Sequence, residues 1–328
     1  MRARNRGKDT YYYLDTGEKP RREIALGKDY VRAVQKWAEY TASAAPVTNL
    51  VTFRYAAECY TKDVIPLKAR TTQTDNLREL KQLYRFFDDP PAPLENIDPV
   101  HVRQYLDFRS DAKVRANREK ALFSHIWNYA REKGLTNREN PCRGVRSYKE
   151  KGRDVYIDDQ IYALVLEHAE LPLKDAIELA YLTGQRPADV LKYSRSDIKD
   201  NELWIQQNKT GAKLRLRIEG PLADLIKRIS GRKVMSLNLI NAANGSPMTK
   251  AMLRGAFDRA RDAAVKARPD LEAQIRQYQF RDLRAKAGTD KEEMEGMGAA
   301  KDQLGHANES TTRRYVRHRK GKLVSPTK

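Results

Sequence analysis

Apolar side chains recur three and four residues apart in four segments between residues 47 and 140, and this spacing limits the possible folds more than any other feature. It places the apolar residues on one face of a helix. Asp98 and Pro99 are typical of a helix N-cap followed by proline at the first helical position, and Gly134 is typical of a C-cap. The pattern predicts a compact bundle of helices over 49–63, 72–87, 98–106 and 112–133.

The first part of the chain has a different pattern. Residues 10–15 and 21–26 are rich in aromatic and β-branched side chains and flank a turn with Gly and Pro at 16–20, which predicts a small hairpin. Residues 29–42 again show helical spacing. Because a hairpin and one helix bury little apolar area, residues 1–44 are predicted to form a small appended module.

From residue 154 the pattern is mixed, with helices around one clear hairpin. Residues 202–207 and 213–218 are the predicted strands, joined by a turn at 208–211. The second strand alternates basic with aliphatic residues, so its apolar face should pack on the domain while Lys213, Arg215 and Arg217 face solvent or phosphate. The chain is therefore predicted to be mainly α with small β elements, a helical bundle followed by a mixed α/β domain.

A segment at 141–153 joins the two larger parts and lacks apolar periodicity. It contains five Arg or Lys residues and one Glu. Such a segment can bridge two domains along a DNA backbone, with Arg143, Arg146, Lys149 and Lys151 as candidate contacts, or can be only a flexible tether. The predicted organisation is a module at 1–44, a helical domain at 45–140, a basic linker at 141–153 and a larger domain at 154–328.

The charge of the chain narrows the class of partner. With 63 Lys plus Arg and 44 Asp plus Glu, the formal net charge is +19. This charge suits a polyanion partner such as nucleic acid, and a basic protein with a merely solvated face is an equally good account of composition alone. Two cysteines cannot form a disulfide framework or a four-ligand metal site. No apolar stretch of about 18 residues occurs and the first residues lack a secretory pattern, so a cytoplasmic protein without a membrane span is expected.

Five short motifs follow one another in the last part. They are Thr-Gly-Gln-Arg at 183–186 with Asp189 three residues on, Lys-Thr at 209–210, Arg-Asp-Leu-Arg at 281–284, Leu-Gly-His at 304–306, and Thr-Thr-Arg-Arg-Tyr at 311–315. Gly184 permits a sharp turn before Arg186, although a lone arginine at such a turn is most often structural. Each motif alone is a weak signal, but their order and spacing across residues 183–315 are specific.

This set of motifs resembles the tyrosine recombinases, the phage-integrase type of site-specific recombinase, including a tyrosine nine residues after the histidine. The resemblance implies a catalytic domain of the DNA breaking-rejoining type at 154–328. Residues 45–140 look like the core-binding domain of that family, and residues 1–44 look like the β-rich arm-binding module of some phage integrases. The implied activity is cleavage and rejoining of DNA through a covalent 3′-phosphotyrosine, which integrates or excises a phage or mobile element.

The resemblance also implies a role for each matching residue. Arg186 and Arg284 would supply bidentate donors to the non-bridging oxygens of the scissile phosphate, and Asp189 would support Arg186. Tyr315 would be the nucleophile that attacks phosphorus. Because the phosphotyrosine stores the bond energy for rejoining, the reaction needs no cofactor, ATP or metal.

Three further positions complete the implied site. Lys209 would protonate the leaving 5′ oxygen, with Lys213 as its rival, and His306 would donate a hydrogen bond to the phosphate. Arg281 departs from the pattern because most relatives have His there, and Arg cannot accept a proton at neutral pH. Either a general-base function is lost or passed to water, or the position is an electrostatic donor. We favour the donor role because the other motifs are intact.

The implied partners are double-stranded DNA at specific recombination sites, three further protomers in a homotetramer on DNA, and an accessory DNA-bending protein. The implied location is cytoplasmic and nucleoid-associated, in a bacterial or phage context. A catalytically silent DNA-binding regulator of the same fold is an alternative that only Arg281 supports. An enzyme similar to the type IB topoisomerases would share the chemistry without strand exchange, and the module at 1–44 favours the integrase over it.

Overall fold

The chain packs as two units, Met1–Lys151 and Gly152–Lys328. The computed structural model describes residues 1–7, 9–15, 22–30, 32–34, 36–37, 40, 51–232, 236–317 and 326. The first unit contains a small sheet and a helical bundle, and the second contains nine α-helices and another small sheet within the described ranges. Among these residues no helix is both long and apolar enough to cross a membrane.

A three-stranded antiparallel sheet begins the first unit, in the order β1-β2-β3. Its strands are β1 (Arg2–Arg6), β2 (Asp9–Asp15) and β3 (Glu23–Gly27). The two predicted strands are confirmed as β2 and β3, and the turn predicted at 16–20 lies outside the described residues. The sequence does not predict β1, because all of its residues are exposed and they show no apolar alternation. The described residues between 30 and 40 are helical, as expected within 29–42.

Four α-helices confirm the predicted bundle. Phe53 stacks on Phe123 with ring centroids 4.8 Å apart, and the ring of Phe87 lies 4.9 Å from that of Phe123. All three rings are buried. Such aromatic pairs add stability beyond the area that they bury. The helices are α1 (Phe53–Asp63), α2 (Arg70–Phe87), α3 (Pro99–Phe108) and α4 (Lys113–Glu132).

Residues 141–151 lie against this bundle. The side-chain amide of Asn117 donates to the carbonyl oxygen of Tyr148 at 2.8 Å and accepts from its backbone N–H at 2.9 Å. Arg103 donates to the Tyr148 hydroxyl at 3.0 Å and to the carbonyl oxygen of Arg146 at 3.3 Å. These bonds hold the backbone on the bundle, which disfavours a free tether. The basic side chains of the segment nevertheless remain exposed, namely Arg143, Arg146, Lys149 and Lys151.

The second unit has helices around one antiparallel sheet of order β4-β5-β6. This arrangement confirms the predicted fold class, mainly α with small β elements. The strands are β4 (Ile198–Lys199), β5 (Glu202–Gln206) and β6 (Lys213–Arg217). The helices before the sheet are α5 (Asp159–Glu167), α6 (Leu171–Thr183) and α7 (Pro187–Val190). Those after it are α8 (Gly220–Ser230), α9 (Lys250–Ala267), α10 (Glu272–Gln277), α11 (Leu283–Glu295), α12 (Met297–Leu304) and α13 (Glu309–Arg313).

Strands β5 and β6 confirm the predicted two-faced hairpin. Leu214 and Leu216 pack against the buried core of the second unit. The residues between and beside them, Lys213, Arg215 and Arg217, are exposed. The alternation of side chains across a strand therefore decides both where the hairpin packs and where its positive charge lies.

Helix α11 is buried along its first two turns, from Leu283 to Thr289. Gly288 lets α12 approach it closely, since a Cβ at this position would lie only 2.8 Å from Cδ1 of Leu304. The end of α12 is therefore held directly beside the beginning of α11. This contact brings together two motifs that are separate in sequence, Arg-Asp-Leu-Arg and Leu-Gly-His.

We expect Phe123→Ala to lower the free energy of unfolding of the full chain by about 3–5 kcal/mol, because it leaves a cavity among the stacked rings of the bundle. Urea denaturation followed by circular dichroism measures the change. Tyr55→Ala is the matched control, since Tyr55 is 53% exposed on α1 and its loss should change stability by no more than about 0.5 kcal/mol. Equal effects of the two substitutions would contradict the aromatic core.

Candidate active site

The first motif lies at a tight junction between α6 and α7. Gly184 ends α6 with a φ of +66°, a left-handed conformation that favours glycine. A Cβ at Gly184 would also lie 3.1 Å from Cδ2 of Leu304. Arg186 then precedes Pro187, the first residue of α7. The backbone conformation and the packing together place Arg186 at a defined point of the domain.

The guanidinium of Arg186 is held by an amide more closely than by a carboxylate. Its Nη1 donates to Oε1 of Gln207 at 2.8 Å, whereas Oδ2 of Asp189 lies 4.0 Å from the same nitrogen. Asp189 is buried, and its Oδ1 accepts from the backbone N–H of Asn208 at 2.8 Å. Asp189 therefore faces Arg186 and also anchors the beginning of the β5–β6 turn.

Arg284 is a buried cation in α11, with 2% of its surface exposed. Its Nη1 donates to the carbonyl oxygen of Gly184 at 2.8 Å, and its Nη2 donates to that of Leu304 at 2.7 Å. Burial and, secondarily, the charge of Arg186 lower the pKa of Arg284 to about 10, so the group stays protonated at neutral pH. Within the described residues its Nε–H has no hydrogen-bond partner.

His306 lies between Arg284 and the last motif. Nη2 of Arg284 is 2.9 Å from Nε2 of His306, and Nδ1 of His306 is 3.0 Å from the hydroxyl oxygen of Thr312. Because arginine can only donate, Nε2 must be the acceptor and Nδ1 must carry the proton that is donated to Thr312. Burial, then the charges of Arg284 and Arg186, lower the pKa of His306 to about 4. The imidazole is therefore neutral at physiological pH.

Tyr315 follows α13 and lies over these two groups. Its ring centroid is 5.2 Å from the guanidinium carbon of Arg284 and 5.1 Å from the ring centroid of His306. The backbone N–H of Tyr315 donates to the carbonyl oxygen of Thr312 at 2.8 Å, which continues the turn of α13. Tyr315 is therefore positioned beside the charged guanidinium of Arg284 and the neutral imidazole of His306, which come from two other motifs.

Lys209 and Arg281 stand apart from this cluster. Both are exposed, and neither forms a hydrogen bond or an ion pair with another described residue. Lys209 lies in the β5–β6 turn, and Lys213 is likewise exposed on β6. Arg281 lines a cavity of about 510 Å³ together with Lys250. The structure thus brings Arg186, Arg284, His306 and Tyr315 together, and leaves the two remaining cations facing solvent.

Sequence reasoning misses one residue at the centre of the cluster, Gln207. Its side chain is 1% exposed, and its amide contacts residues from several motifs. A signal was present in the alternation of β5, because Leu203 and Ile205 point inward and Gln207 continues the same face. A polar residue at an inward position needs hydrogen-bond partners, which indicates a site rather than ordinary core.

Comparison with known proteins identifies the class. Residues 158–322 match the model of the Phage integrase family, and the chain belongs to this family. This match confirms the resemblance that the five motifs carry. It covers the whole of the cluster from Arg186 to Tyr315.

Three curated integrases are similar in sequence. The integrase of Escherichia phage HK022 is 30% identical over 186 residues, which are 54% of this chain and 50% of that protein. Those of Enterobacteria phage 434 and Escherichia phage lambda are 31% and 32% identical over 130 and 132 residues, in each case 38% of this chain and 36% of the relative. The chain thus matches half the length of these relatives or less.

Solved structures share the fold over most of the chain. A lambda integrase dimer bound to a COC′ core site has a TM-score of 0.73 at 20% identity, and the match covers 99% of this chain and 97% of that one. A lambda integrase tetramer bound to a Holliday junction has a TM-score of 0.72 at 20% identity over 98% and 95%. The Tn1549 transposon integrase in complex with a circular intermediate DNA has a TM-score of 0.67 at 15% identity, and the match covers 82% of this chain and 96% of that one. The fold is therefore that of the integrases.

Replacing His306 with Gln should remove part of the pH dependence of folding. The pKa of His306 is about 4 in the folded chain against an ordinary value of 6.5, so between these pH values the unfolded chain binds a proton that the folded chain does not. The stability that the neutral, buried imidazole contributes to the folded chain is fully present above pH 6.5. It is lost as the pH falls toward 4, by up to about 3 kcal/mol.

Urea denaturation of the wild type and His306→Gln at pH 4 to 7.5 measures this difference. Other titrating groups are common to both proteins, so subtraction isolates His306. Parallel stability curves over that range would show that the imidazole is not buried in its neutral form.

Proposed function

We propose that this chain is a site-specific tyrosine recombinase, an integrase that cleaves and rejoins DNA through a covalent 3′-phosphotyrosine to integrate or excise a phage or mobile element. The observation that carries the proposal is the position of the Tyr315 ring, in contact distance of the buried guanidinium of Arg284 and of His306. A phenol beside a desolvated arginine is suited to attack a phosphodiester that the same arginine binds.

In the proposed reaction, the phenolic oxygen of Tyr315 attacks phosphorus and the bond from phosphorus to the 5′ oxygen breaks. The phenolic proton leaves to solvent, and Lys209 protonates the departing 5′ oxygen. One phosphoester bond replaces another, so the reverse attack by a 5′ hydroxyl can rejoin a strand without an energy source or a cofactor. Arg186 and Arg284 stabilise the charge that develops on the non-bridging oxygens.

Arg284 has a donor available for that phosphate. Its two terminal nitrogens already bind carbonyl oxygens, but its Nε–H has no partner among the described residues. A phosphate oxygen would accept from this buried Nε–H. Phosphate would also take the place of Nε2 of His306 as an acceptor for Nη2 of Arg284. The ring centroid of Tyr315 is 5.2 Å from the guanidinium carbon, so a phosphate bound by Arg284 would lie next to the proposed nucleophile.

His306 can donate to the phosphate without changing its charge. The hydroxyl of Thr312 can donate or accept a hydrogen bond, so it can donate one to Nδ1 in the tautomer whose Nε2 carries the imidazole proton. The neutral ring then donates from Nε2 to a phosphate oxygen. The low pKa of His306, about 4, is consistent with a hydrogen-bonding role in which no proton is lost.

The two exposed cations are proposed to act once DNA is bound. Lys209 is exposed in its turn and has no competing partner among the described residues, and we propose that it protonates the leaving oxygen. Asp189 is proposed to support both Arg186 and the Lys209 turn, because its carboxylate faces Arg186 and accepts from the backbone N–H of Asn208, next to Lys209. Arg281 is proposed to add charge stabilisation at the phosphate, in the place where most relatives have His.

We further propose that residues 1–44 bind arm sites, that 45–140 bind the core site, that 141–153 link them, and that 154–328 form the catalytic domain. The net charge of +19 supports extensive contact with phosphates. The exposed linker residues Arg143, Arg146, Lys149 and Lys151 and the strand residues Lys213, Arg215 and Arg217 are the proposed DNA contacts.

Likeness to lambda integrase supports the proposed assembly. Its solved structures include a dimer bound to a core site and a tetramer bound to a Holliday junction. We therefore propose a homotetramer on double-stranded DNA, assisted by an accessory DNA-bending protein. We also propose that this chain acts in the cytoplasm, at the bacterial nucleoid.

Tyr315→Phe should abolish the covalent protein–DNA adduct on a nicked suicide substrate, because the only change is loss of the nucleophilic oxygen. Denaturing gel electrophoresis detects the adduct. Tyr278→Phe is the matched control, since the buried Tyr278 hydroxyl has no hydrogen-bond partner within the described residues and its removal should leave cleavage intact. An adduct that survives Tyr315→Phe would overturn the proposed nucleophile.

Arg281→His should leave the rate of single-turnover cleavage within about tenfold, which is roughly 1.4 kcal/mol in the barrier. The reason is that either residue can donate to the phosphate at this position. Arg254→His, in the same cavity but outside the motifs, is the control and should change cleavage less. A rise of several orders of magnitude in Arg281→His would show that the natural arginine impairs catalysis.

A further inference from the structure

Gln207 uses the whole hydrogen-bonding capacity of its amide inside the cluster. Its Oε1 accepts from Nη1 of Arg186 at 2.8 Å and from the hydroxyl of Thr210 at 2.7 Å. Its Nε2 donates to Oε1 of Gln185 at 2.8 Å and to the carbonyl oxygen of Leu304 at 2.8 Å. An amide has two acceptor sites and two N–H donors, so all four are occupied.

The chemistry of the partners fixes the orientation of this amide. Arg186 can only donate and the Leu304 carbonyl can only accept, so exchanging the oxygen and nitrogen of Gln207 would oppose like groups on both sides. The amide of Gln185 is itself directed, because its Nε2 donates to the carbonyl oxygens of Thr183 and Gln303 at 3.0 and 2.9 Å. The network therefore has one arrangement only.

The same amide connects the two catalytic arginines. The carbonyl oxygen of Leu304 accepts both from Gln207 and from Nη2 of Arg284, at 2.8 and 2.7 Å. A displacement of the Gln207 amide would therefore change its hydrogen bond to Arg186 directly. It would also change the environment of Arg284 through the carbonyl oxygen of Leu304, which both side chains share. Gly305 makes this approach possible, because a Cβ there would lie 2.7 Å from Nε2 of Gln207.

Gln207 also holds the turn that carries Lys209. The backbone N–H of Gly211 donates to the carbonyl oxygen of Gln207 at 2.9 Å, and the Thr210 hydroxyl reaches the amide from the same turn. Lys209 itself has no partner among the described residues. Its position therefore depends on the backbone of this turn, and the Thr210 hydroxyl is a side-chain tie from the turn to the buried amide.

We propose that Gln207 is a positioning residue for strand cleavage, which sets the guanidinium of Arg186 and the Lys209 turn in fixed relation to Arg284 and His306. A simple core-filling role would not require every partner of one amide to lie in a motif or next to one. The proposal rests on the proposed function, since it concerns the efficiency of the same reaction.

Gln207→Leu should reduce single-turnover cleavage of a suicide substrate by about 10²-fold, the scale expected when catalytic groups are misplaced by about 1 Å. Binding of the same DNA, measured by fluorescence anisotropy, should stay within about threefold because the phosphate contacts on the exposed surface are unchanged. Gln303→Leu is the matched control. Its half-buried amide donates to the carbonyl oxygen of Leu182. Gln303 is nevertheless tied to this network through its carbonyl oxygen, so Gln206→Leu serves as the second and stricter control. Gln206 precedes Gln207 and its side chain is exposed on the opposite face of β5, so cleavage should stay within about threefold.

Thr210→Val tests the tie to the turn at an exposed position, where the substitution does not endanger folding. Cleavage should fall about tenfold on an ordinary phosphodiester, less than the roughly 10²–10⁴-fold that a general acid typically contributes, because Lys209 itself is retained. It should return to the wild-type rate on a substrate with sulfur at the 5′ bridging position, because a thiolate leaves without protonation by Lys209. Gln207→Leu should recover only in part on that substrate, since its effect on Arg186 remains.

The outcomes separate this inference from the proposed function. If the wild type forms no Tyr315 adduct, the proposed function itself fails. If the wild type forms the adduct and both Gln207→Leu and Thr210→Val cleave within threefold of it, Gln207 is not a positioning residue. Equal losses in Thr210→Val on the oxygen and sulfur substrates would also overturn the inference, because the defect would then not involve the proton donor.

Discussion

The burial of the Arg284 guanidinium is the constraint on which the site depends. A buried charge must be hydrogen-bonded, and Arg284 meets this need with the carbonyl oxygens of Gly184 and Leu304 instead of a carboxylate. Both carbonyls are presented at helix ends where glycine adopts a left-handed conformation, with φ of +66° at Gly184 and +64° at Gly305. A neutral set of acceptors leaves the positive charge uncompensated and therefore available to a phosphate.

The opposite side of α11 is held by a second buried cation. Lys286 lies 3.0 Å from Oδ2 of Asp290, and Asp290 accepts from the hydroxyls of Tyr156 and Tyr181 at 2.7 Å each. Here a carboxylate compensates the charge, so Lys286 anchors the helix. The contrast between these two cations in one helix separates a structural environment from the proposed catalytic one: both are buried, but only Arg284 of the two lacks an acidic partner at hydrogen-bond distance.

The sequence predicts the helical bundle and the two-faced hairpin well, because each depends on a local repeat. The apolar spacing of α1 to α4 and the alternation of β6 are visible without any knowledge of neighbours. Strand β1 has no such repeat, since it pairs through its backbone and exposes its side chains. The first two turns of α11 are also invisible to periodicity, because they are buried on all sides.

By itself the sequence predicted the inventory of the site: three arginines, a histidine, a lysine and a tyrosine in a set order, with Asp189 next to the first arginine, together with a charge of +19 that suits a polyanion partner. Side-chain chemistry is local, so these residues can be recognised from motifs alone. Only the tertiary structure decided that Gln207 joins Arg186 to Arg284, that His306 is neutral with its proton on Nδ1, and that Arg281 faces solvent. These properties arise from burial and from hydrogen bonds between distant segments, which no single segment contains.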